Sequence, residues 1–404
     1  MSVGIDKAAF YTSPYYLDLR TLAKARGVDP NKFTVGLGQQ QMAVSPPDED
    51  IVTLGANAAY QILLDEDIKS IDTLLFATET GIDQSKAAGI LVHRLLKLSP
   101  RCRVVELKQA CYSGTAALQM AMDQLRVNPS RKILLIASDI ARYGLNTAGE
   151  SSQGGGAVAM LLTANPRMIA IEPEAGFVTE DAWDFWRPNY RDEALVDGKY
   201  SCDLYLKILR EAWQHYSEQS NRDYDAHQHF CFHIPIPRLA EKALQKLALI
   251  NGKEKPVGKA LDAACDATLE YSRTIGNCYT ASLYLGLLSL LDNDNADLTN
   301  HRIGFYSYGS GCTAEFFSAV VQPSYRNVRC KAFHQQLLKR RRELTQQEYE
   351  YFYNFSYPRD GSSLSLPKSS TGRFRLASLN QHQRHYKTNE APCVLQSVPV
   401  HQAS

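Results

Sequence analysis

No C-x-x-C pair occurs among the nine cysteines of this sequence, which are odd in number and scattered from Cys102 to Cys393. That usage excludes a zinc ribbon and a disulfide framework, and it fits a reducing cytosol. Long apolar runs are also lacking. The longest strongly apolar stretch, ASLYLGLLSLL (281–291), falls well short of the ~20 residues that a membrane helix needs. At the N-terminus, MSVGIDKAAFY carries Asp6 and Lys7 where a signal peptide requires an apolar run. An excess of one charge is missing as well: 44 Lys and Arg against 43 Asp and Glu leave a formal net charge of +1. No global basic field therefore points to nucleic acid or an anionic membrane, and a cytoplasmic protein with neither partner is expected. The one dense basic run, Lys339-Arg340-Arg341-Arg342, reads as the solvated face of a helix. GLGQQQ and GGGAV lack the spacing of a dinucleotide or P-loop fingerprint, and YGSGC is not the G-x-S-x-G elbow.

What is present is ordinary for a globular protein, with 44% hydrophobic and 22% charged residues. At 404 residues the chain suits two domains or two halves of one large fold. Short leucine-rich or β-branched runs alternate with helical patterns, the signature of an α/β protein with buried strands. Strands are expected at IDTLLFAT (71–78), RVVEL (103–107), KILLIAS (132–138) and GGAVAMLLT (155–163). After longer loops and helices over 166–228, further strands are expected at HFCFHIP (229–235) and RIGFYSYG (302–309). Each half has a strand running into a polar, reactive-looking residue and a glycine-rich turn near its end, a weak internal repeat of order rather than letters. The expected division is an N-terminal half over 1–165, a C-terminal half over 166–390 and a frayed tail over 391–404. The Tyr-, Ser- and Gln-rich stretch from Gln346 onward has no assigned role, and DGSSLSLPKSSTG (360–372) reads as a loop.

Three side chains stand where chemistry is possible. Cys111, in ELKQACYSGTAALQMA (106–121), lies between a short strand and an uncharged helical run. A thiol near a helix N-terminus is favoured as thiolate, and the same backbone N–H groups can hold an oxyanion. A free cysteine can equally be an inert core residue. Glu79 ends the apolar run of 74–77; a carboxylate at the carboxyl end of a buried strand sits where open α/β sheets bind ligands, and desolvation would raise its pKa toward general acid/base use. The alternative for Glu79 is a helix cap or loop acid. His233, in CFHIPIP, suits polarising a carbonyl as a neutral or protonated imidazole. With His227 and His229 nearby a metal site is conceivable, but no helix supplies i,i+4 geometry, so no metal is expected.

Taken together, these segments resemble hydroxymethylglutaryl-CoA synthases of the thiolase superfamily, closest to the bacterial mevalonate-pathway form. The resemblance runs over most of the chain: VGIDKAAFY, VDPNKFTVGLGQQQMAVSPPDEDIVTLGANAA, DIARYGLN, DFWRPNY, LVDGKYS, GNCYTASLYL and FYSYGSG. It implies an α/β, thiolase-like five-layered αβαβα fold of two similar halves, usually a homodimer. It places the family's acyl-carrying cysteine on Cys111, its catalytic glutamate on Glu79 and its catalytic histidine on His233. Supporting pocket positions fall on Tyr143, Asp184, Asn277 and Ser310, and cations for the phosphates of CoA on Arg238 and Lys242. The implied reaction joins acetyl-CoA to acetoacetyl-CoA and needs no cofactor, since the CoA thioesters are substrates. YSGTA, TETGID and YGSGC also resemble the polyketide β-branching synthases, which use an acyl carrier protein; DFWRP and LVDGKYS favour the mevalonate enzyme. A non-catalytic acyl-carrier-binding relative would not need Glu79, Cys111 and His233 intact.

Overall fold

A computed structural model describes residues 1–389; the expected tail over 391–404 lies outside the described residues. Nine strands form one sheet, in the order Arg103–Leu107, Thr73–Ala77, Ile133–Ala141, Gly154–Ala164, Val3–Thr12, Ile169–Thr179, Thr313–Val321, Arg302–Gly309 and His229–Phe232. Its two halves meet only through the short pairing of Val3–Ile5 with Ile169–Ile171. Strand Thr73–Ala77 runs parallel to both its neighbours, and His229–Phe232 runs parallel to Arg302–Gly309. Parallel strands covered on both faces read as continuous apolar runs, which is why TLLFA and ILLIA were legible.

Alternating side chains sort the layers. In the first half-sheet Leu75, Ala77, Leu135 and Met160 face a central core built on helices Ser113–Val127 and Ser282–Asn293. Their neighbours Leu74, Phe76, Ile136 and Leu161 face the outer helices Ile51–Ile62 and Ala88–Leu96. The second half repeats the scheme: Ile303, Phe305 and Phe317 join the central core, while Tyr306, Tyr308 and Phe316 face Gly198–Ser220 and Pro237–Ile250. Helix, sheet, helix, sheet, helix is the five-layered αβαβα arrangement of the thiolase-like fold.

Three expectations need correction. Strand Ile169–Thr179 lies where loops and helices were expected. Pro173, Gly176 and two glutamates masked it; Glu172 is matched by Arg222 and Arg302, and a Cβ on Gly176 would lie 2.1 Å from the Tyr216 nitrogen of the helix crossing it. The basic run is not a solvated helix face. The helix ends at Lys339, Arg341 is buried over the Tyr16 ring and donates to the Thr274 carbonyl, and Arg342 pairs with Glu348. The stretch 360–372 also contains a two-residue strand, Leu364–Ser365. From Arg329 on, the chain returns to the first half: Phe10 N–H donates to His334 Nε2 at 3.1 Å, and Phe374 N–H donates to Asn57 Oδ1 at 3.0 Å.

Candidate active site

Carboxyl ends of parallel strands gather the reactive groups. Glu79 follows Thr73–Ala77, and Cys111 follows Arg103–Leu107, two residues before helix Ser113–Val127 begins. The Cys111 thiol donates to Glu79 Oε2 at 3.0 Å. Burial and the charge of Glu79 raise the thiol well above its usual range, so the helix terminus does not leave a standing thiolate, as its position had suggested. Burial and the charge of Asp139 push the Glu79 carboxyl up to about 8, while the thiol's hydrogen bond and Arg187 pull it back. A carboxyl poised near neutrality therefore touches a thiol that would need a base to act as a nucleophile.

Asp139 fixes the Glu79 turn. Fully buried, it accepts from Thr78 Oγ1 (2.7 Å), Glu79 N (2.9 Å), Thr80 N (3.0 Å) and Thr80 Oγ1 (2.6 Å) through one oxygen. Through the other it accepts from Thr280 N (3.1 Å) and Thr280 Oγ1 (2.5 Å). The Arg187 guanidinium donates to the Glu79 carbonyl.

The second half closes on this pair. A Cβ on Gly309 would lie 2.6 Å from Gln109 O and Tyr112 Cβ, so only glycine lets strand Arg302–Gly309 end against the cysteine turn. His233 N–H donates to Tyr306 O at 2.8 Å, which places His233 beside that same strand end. Burial lowers the imidazole to about 3, so the open choice of protonation resolves to neutral. Ser310 follows Gly309, and its carbonyl accepts from Gln109 Nε2 at 3.4 Å. The loop holding Ser310 is pinned by Asp184, which accepts from Gly311 N (2.9 Å), Tyr308 OH (2.7 Å) and Ser201 Oγ (3.1 Å). Asn277 is buried; its Oδ1 accepts from Tyr279 N (2.9 Å) and Ser282 Oγ (3.0 Å), leaving the amide nitrogen free of that duty. Tyr143 and Tyr279 pack edge to face, and Cys111 packs against their cluster.

Arg238 and Lys242 lie one turn apart on helix Pro237–Ile250, which starts four residues past His233. Arg238 is engaged with Glu241 and donates to Val35 O at 2.8 Å; Lys242 is exposed with no ion-pair partner among the described residues. His227 pairs with Tyr216 OH (3.0 Å) and His229 with His301 (3.1 Å), each away from His233's strand end. A cavity of about 250 Å³ lies behind the Glu79 turn, lined by Thr80, Ile140, Arg187, Tyr349 and Phe352 among others, and Cys111 does not line it. Sequence reasoning missed Asp139, Arg187 and Tyr279, although DIARY, DFWRP and GNCYT, the segments that carry them, had been singled out. A buried acid before an apolar residue, or an arginine before proline, carries no local mark of its partner.

Two similar half-folds that bring a thiol, a carboxyl and a neutral imidazole to the carboxyl ends of strands define a thiolase-like acyltransferase. The model for the hydroxymethylglutaryl-coenzyme A synthase N-terminal region matches residues 1–167, and that for the C-terminal region matches 169–260 and 255–357. The chain belongs to the hydroxymethylglutaryl-CoA synthase family. It is 41% identical to the hydroxymethylglutaryl-CoA synthase of Enterococcus faecalis, over 96% of this chain and 100% of that protein. It is 35% identical to the polyketide biosynthesis 3-hydroxy-3-methylglutaryl-ACP synthase PksG of Bacillus subtilis, over 88% of this chain and 89% of that one. A crystal structure of an HMG-CoA synthase complexed with CoA superposes with a TM-score of 0.91 at 40% identity, covering 96% of this chain and all of the other.

Proposed function

We propose that the protein condenses acetyl-CoA with acetoacetyl-CoA and water to give 3-hydroxy-3-methylglutaryl-CoA and CoA, in the mevalonate pathway. The observation that carries this reading is the contact of Cys111 Sγ with Glu79 Oε2 at 3.0 Å. Cys111 attacks the acetyl thioester while Glu79 takes the thiol proton and passes it to the departing CoA thiolate. Backbone N–H groups of the cysteine turn hold the tetrahedral oxyanion. Glu79 then removes a proton from the methyl group of the acetyl-enzyme, creating the carbon nucleophile. That carbon attacks the ketone of acetoacetyl-CoA, whose oxygen is polarised by the neutral His233 and receives, through that imidazole, the proton that Glu79 took from the methyl group, which returns Glu79 to the carboxylate; Asn277 and Ser310 stand beside it. Water cleaves the thioester on Cys111, freeing the product and restoring the thiol. No cofactor enters these steps.

The same reading has the enzyme act in the cytoplasm as a homodimer. Among the described residues no helix is long and apolar enough to cross a membrane. The dimer is supported by the outermost strand, Arg103–Leu107, whose free edge bears Val105 at 43% exposure; Met120, at 55%, lies on the helix that follows. A second reading, an acceptor carried on an acyl carrier protein, is favoured by the likeness to PksG and by the resemblance of YSGTA to the polyketide β-branching synthases. Acetoacetyl-CoA and an acetoacetyl-carrier protein offered side by side separate the two. Preferential turnover of the CoA ester is expected, and strong preference for the carrier protein overturns the pathway assigned.

A further inference from the structure

Behind the nucleophile lies a buried carboxyl that none of these steps uses. Glu315 is 3% exposed and sits on strand Thr313–Val321 of the second half. Its two oxygens accept from two side chains of the cysteine segment: Tyr112 OH at 2.7 Å and Gln119 Nε2 at 2.6 Å. Tyr112 is the residue next to Cys111 and the N-cap of helix Ser113–Val127; Gln119 lies two turns further along that helix. A second bond set, Thr115 Oγ1 to Ser307 Oγ and to Tyr284 OH at 2.8 Å each, joins the same helix to the second half.

The segment so held is strained. Ala110, immediately before Cys111, has φ +42°, a left-handed conformation that is unfavourable for a residue bearing a Cβ. Such a conformation persists only where the surroundings over-determine it. Gly309 presses the backbone of Gln109 and Tyr112, and the buried Glu315 carboxyl accepts from the Tyr112 phenol. Burial pushes the Glu315 carboxyl up to about 7, opposed by its bonds to Tyr112 and Gln119 and reinforced by Asp123.

We infer that Glu315 is a positioning residue for the acyl-transfer step: a latch from the second half that holds Tyr112, and through it the strained turn that presents Cys111 to the thioester. The inference rests on the acyl-transfer role of Cys111, and the wild-type adduct separates the two claims.

The test is the rate at which acetyl-CoA places an acetyl mass on the Cys111 peptide, followed in rapid-quench samples. Glu315→Leu and Tyr112→Phe should each slow acetylation about tenfold or more, with KM for acetyl-CoA moved less than about twofold, and the double variant should be no slower than the slower single. The exchange Glu315→Gln with Gln119→Glu keeps an acceptor for Tyr112 and a donor–acceptor pair between 315 and 119. It should recover most of the lost rate. If Glu315→Leu does not fold, the cycle is run with Glu315→Gln, whose shape is unchanged and whose neutral amide weakens both bonds. Multiplicative losses with Tyr112→Phe, or wild-type rates in the Glu315 variants, overturn the latch. Absence of the acetyl mass on the wild-type enzyme defeats the acyl-transfer reading instead.

Discussion

In the proposed mechanism Glu79 has two proton-transfer duties and one carboxyl to do them with. It receives the Cys111 proton at 3.0 Å and later a proton from the acetyl methyl group, and both require the carboxylate. With burial and Asp139 holding the group at about 8, the ionised fraction rises about tenfold per pH unit below that value. The condensation rate is therefore expected to climb from pH 6 to 8 and to level off above; a rate flat across that window would remove Glu79 from its role. Glu79→Gln keeps the shape and removes the base. It should still accumulate acetyl-enzyme, slowly, while turnover drops by about 10²–10⁴-fold, the usual worth of a general base. Intact-mass measurement of the adduct beside steady-state turnover reads both effects. Cys111→Ser, by contrast, should show neither adduct nor turnover. The two variants thus divide the nucleophile from the base, although the two side chains touch.

At the scale of elements, the site depends on backbone approaches that only glycine allows. Gly276 has φ +88°, and a Cβ there would lie 2.0 Å from the Gln153 carbonyl. Gly154, opposite, would meet the Asn277 nitrogen at 2.7 Å. Gly276→Ala must therefore displace the turn carrying Asn277. It should destabilise the fold by about 1–3 kcal/mol from backbone strain alone, with the clash added. Since Cys111 and Glu79 sit on other elements, acetylation should survive in the folded fraction while condensation is lost. Equal loss of the two steps would mean that Asn277 is not confined to the condensation half. These approaches also explain what could be read in advance. Buried parallel strands such as Thr73–Ala77 and Ile133–Ala141 declare themselves by their apolar letters. Ile169–Thr179 did not, because Glu172 is neutralised by arginines 50 and 130 residues away, which no local pattern records. Cys111, Glu79 and His233 were legible as polar residues following strands, whereas Asp139 lies inside one, where its six hydrogen bonds are purely tertiary.

At the scale of the whole molecule, the surface governs how copies associate and how a long substrate is held. The free edge at Arg103–Leu107 is short and carries Val105 outward on the same face as the exposed Arg103. If two copies pair there, Val105→Asp places a charge in the joint and should shift the species seen by light scattering from dimer to monomer; an unchanged dimer would move the interface elsewhere. On the proposed reading, substrate holding turns on cations near the start of helix Pro237–Ile250. Glu241 already neutralises Arg238 there, so much of Arg238's charge is committed within the protein. Lys242, exposed and unpaired among the described residues, keeps its charge for a ligand phosphate. Phosphate contacts of this kind act in ground state and transition state alike, so their loss appears in KM and not in kcat. Lys242→Glu is therefore expected to raise KM for acetyl-CoA severalfold at low ionic strength, with kcat nearly unchanged. The difference from wild type should shrink as salt is raised from about 0.01 to 0.15 M, because screening shortens the reach of an exposed charge from about 30 to 8 Å. Arg238→Ala should change KM less. A larger effect of Arg238 than of Lys242 would mean that the ligand displaces Glu241 and takes the guanidinium for itself.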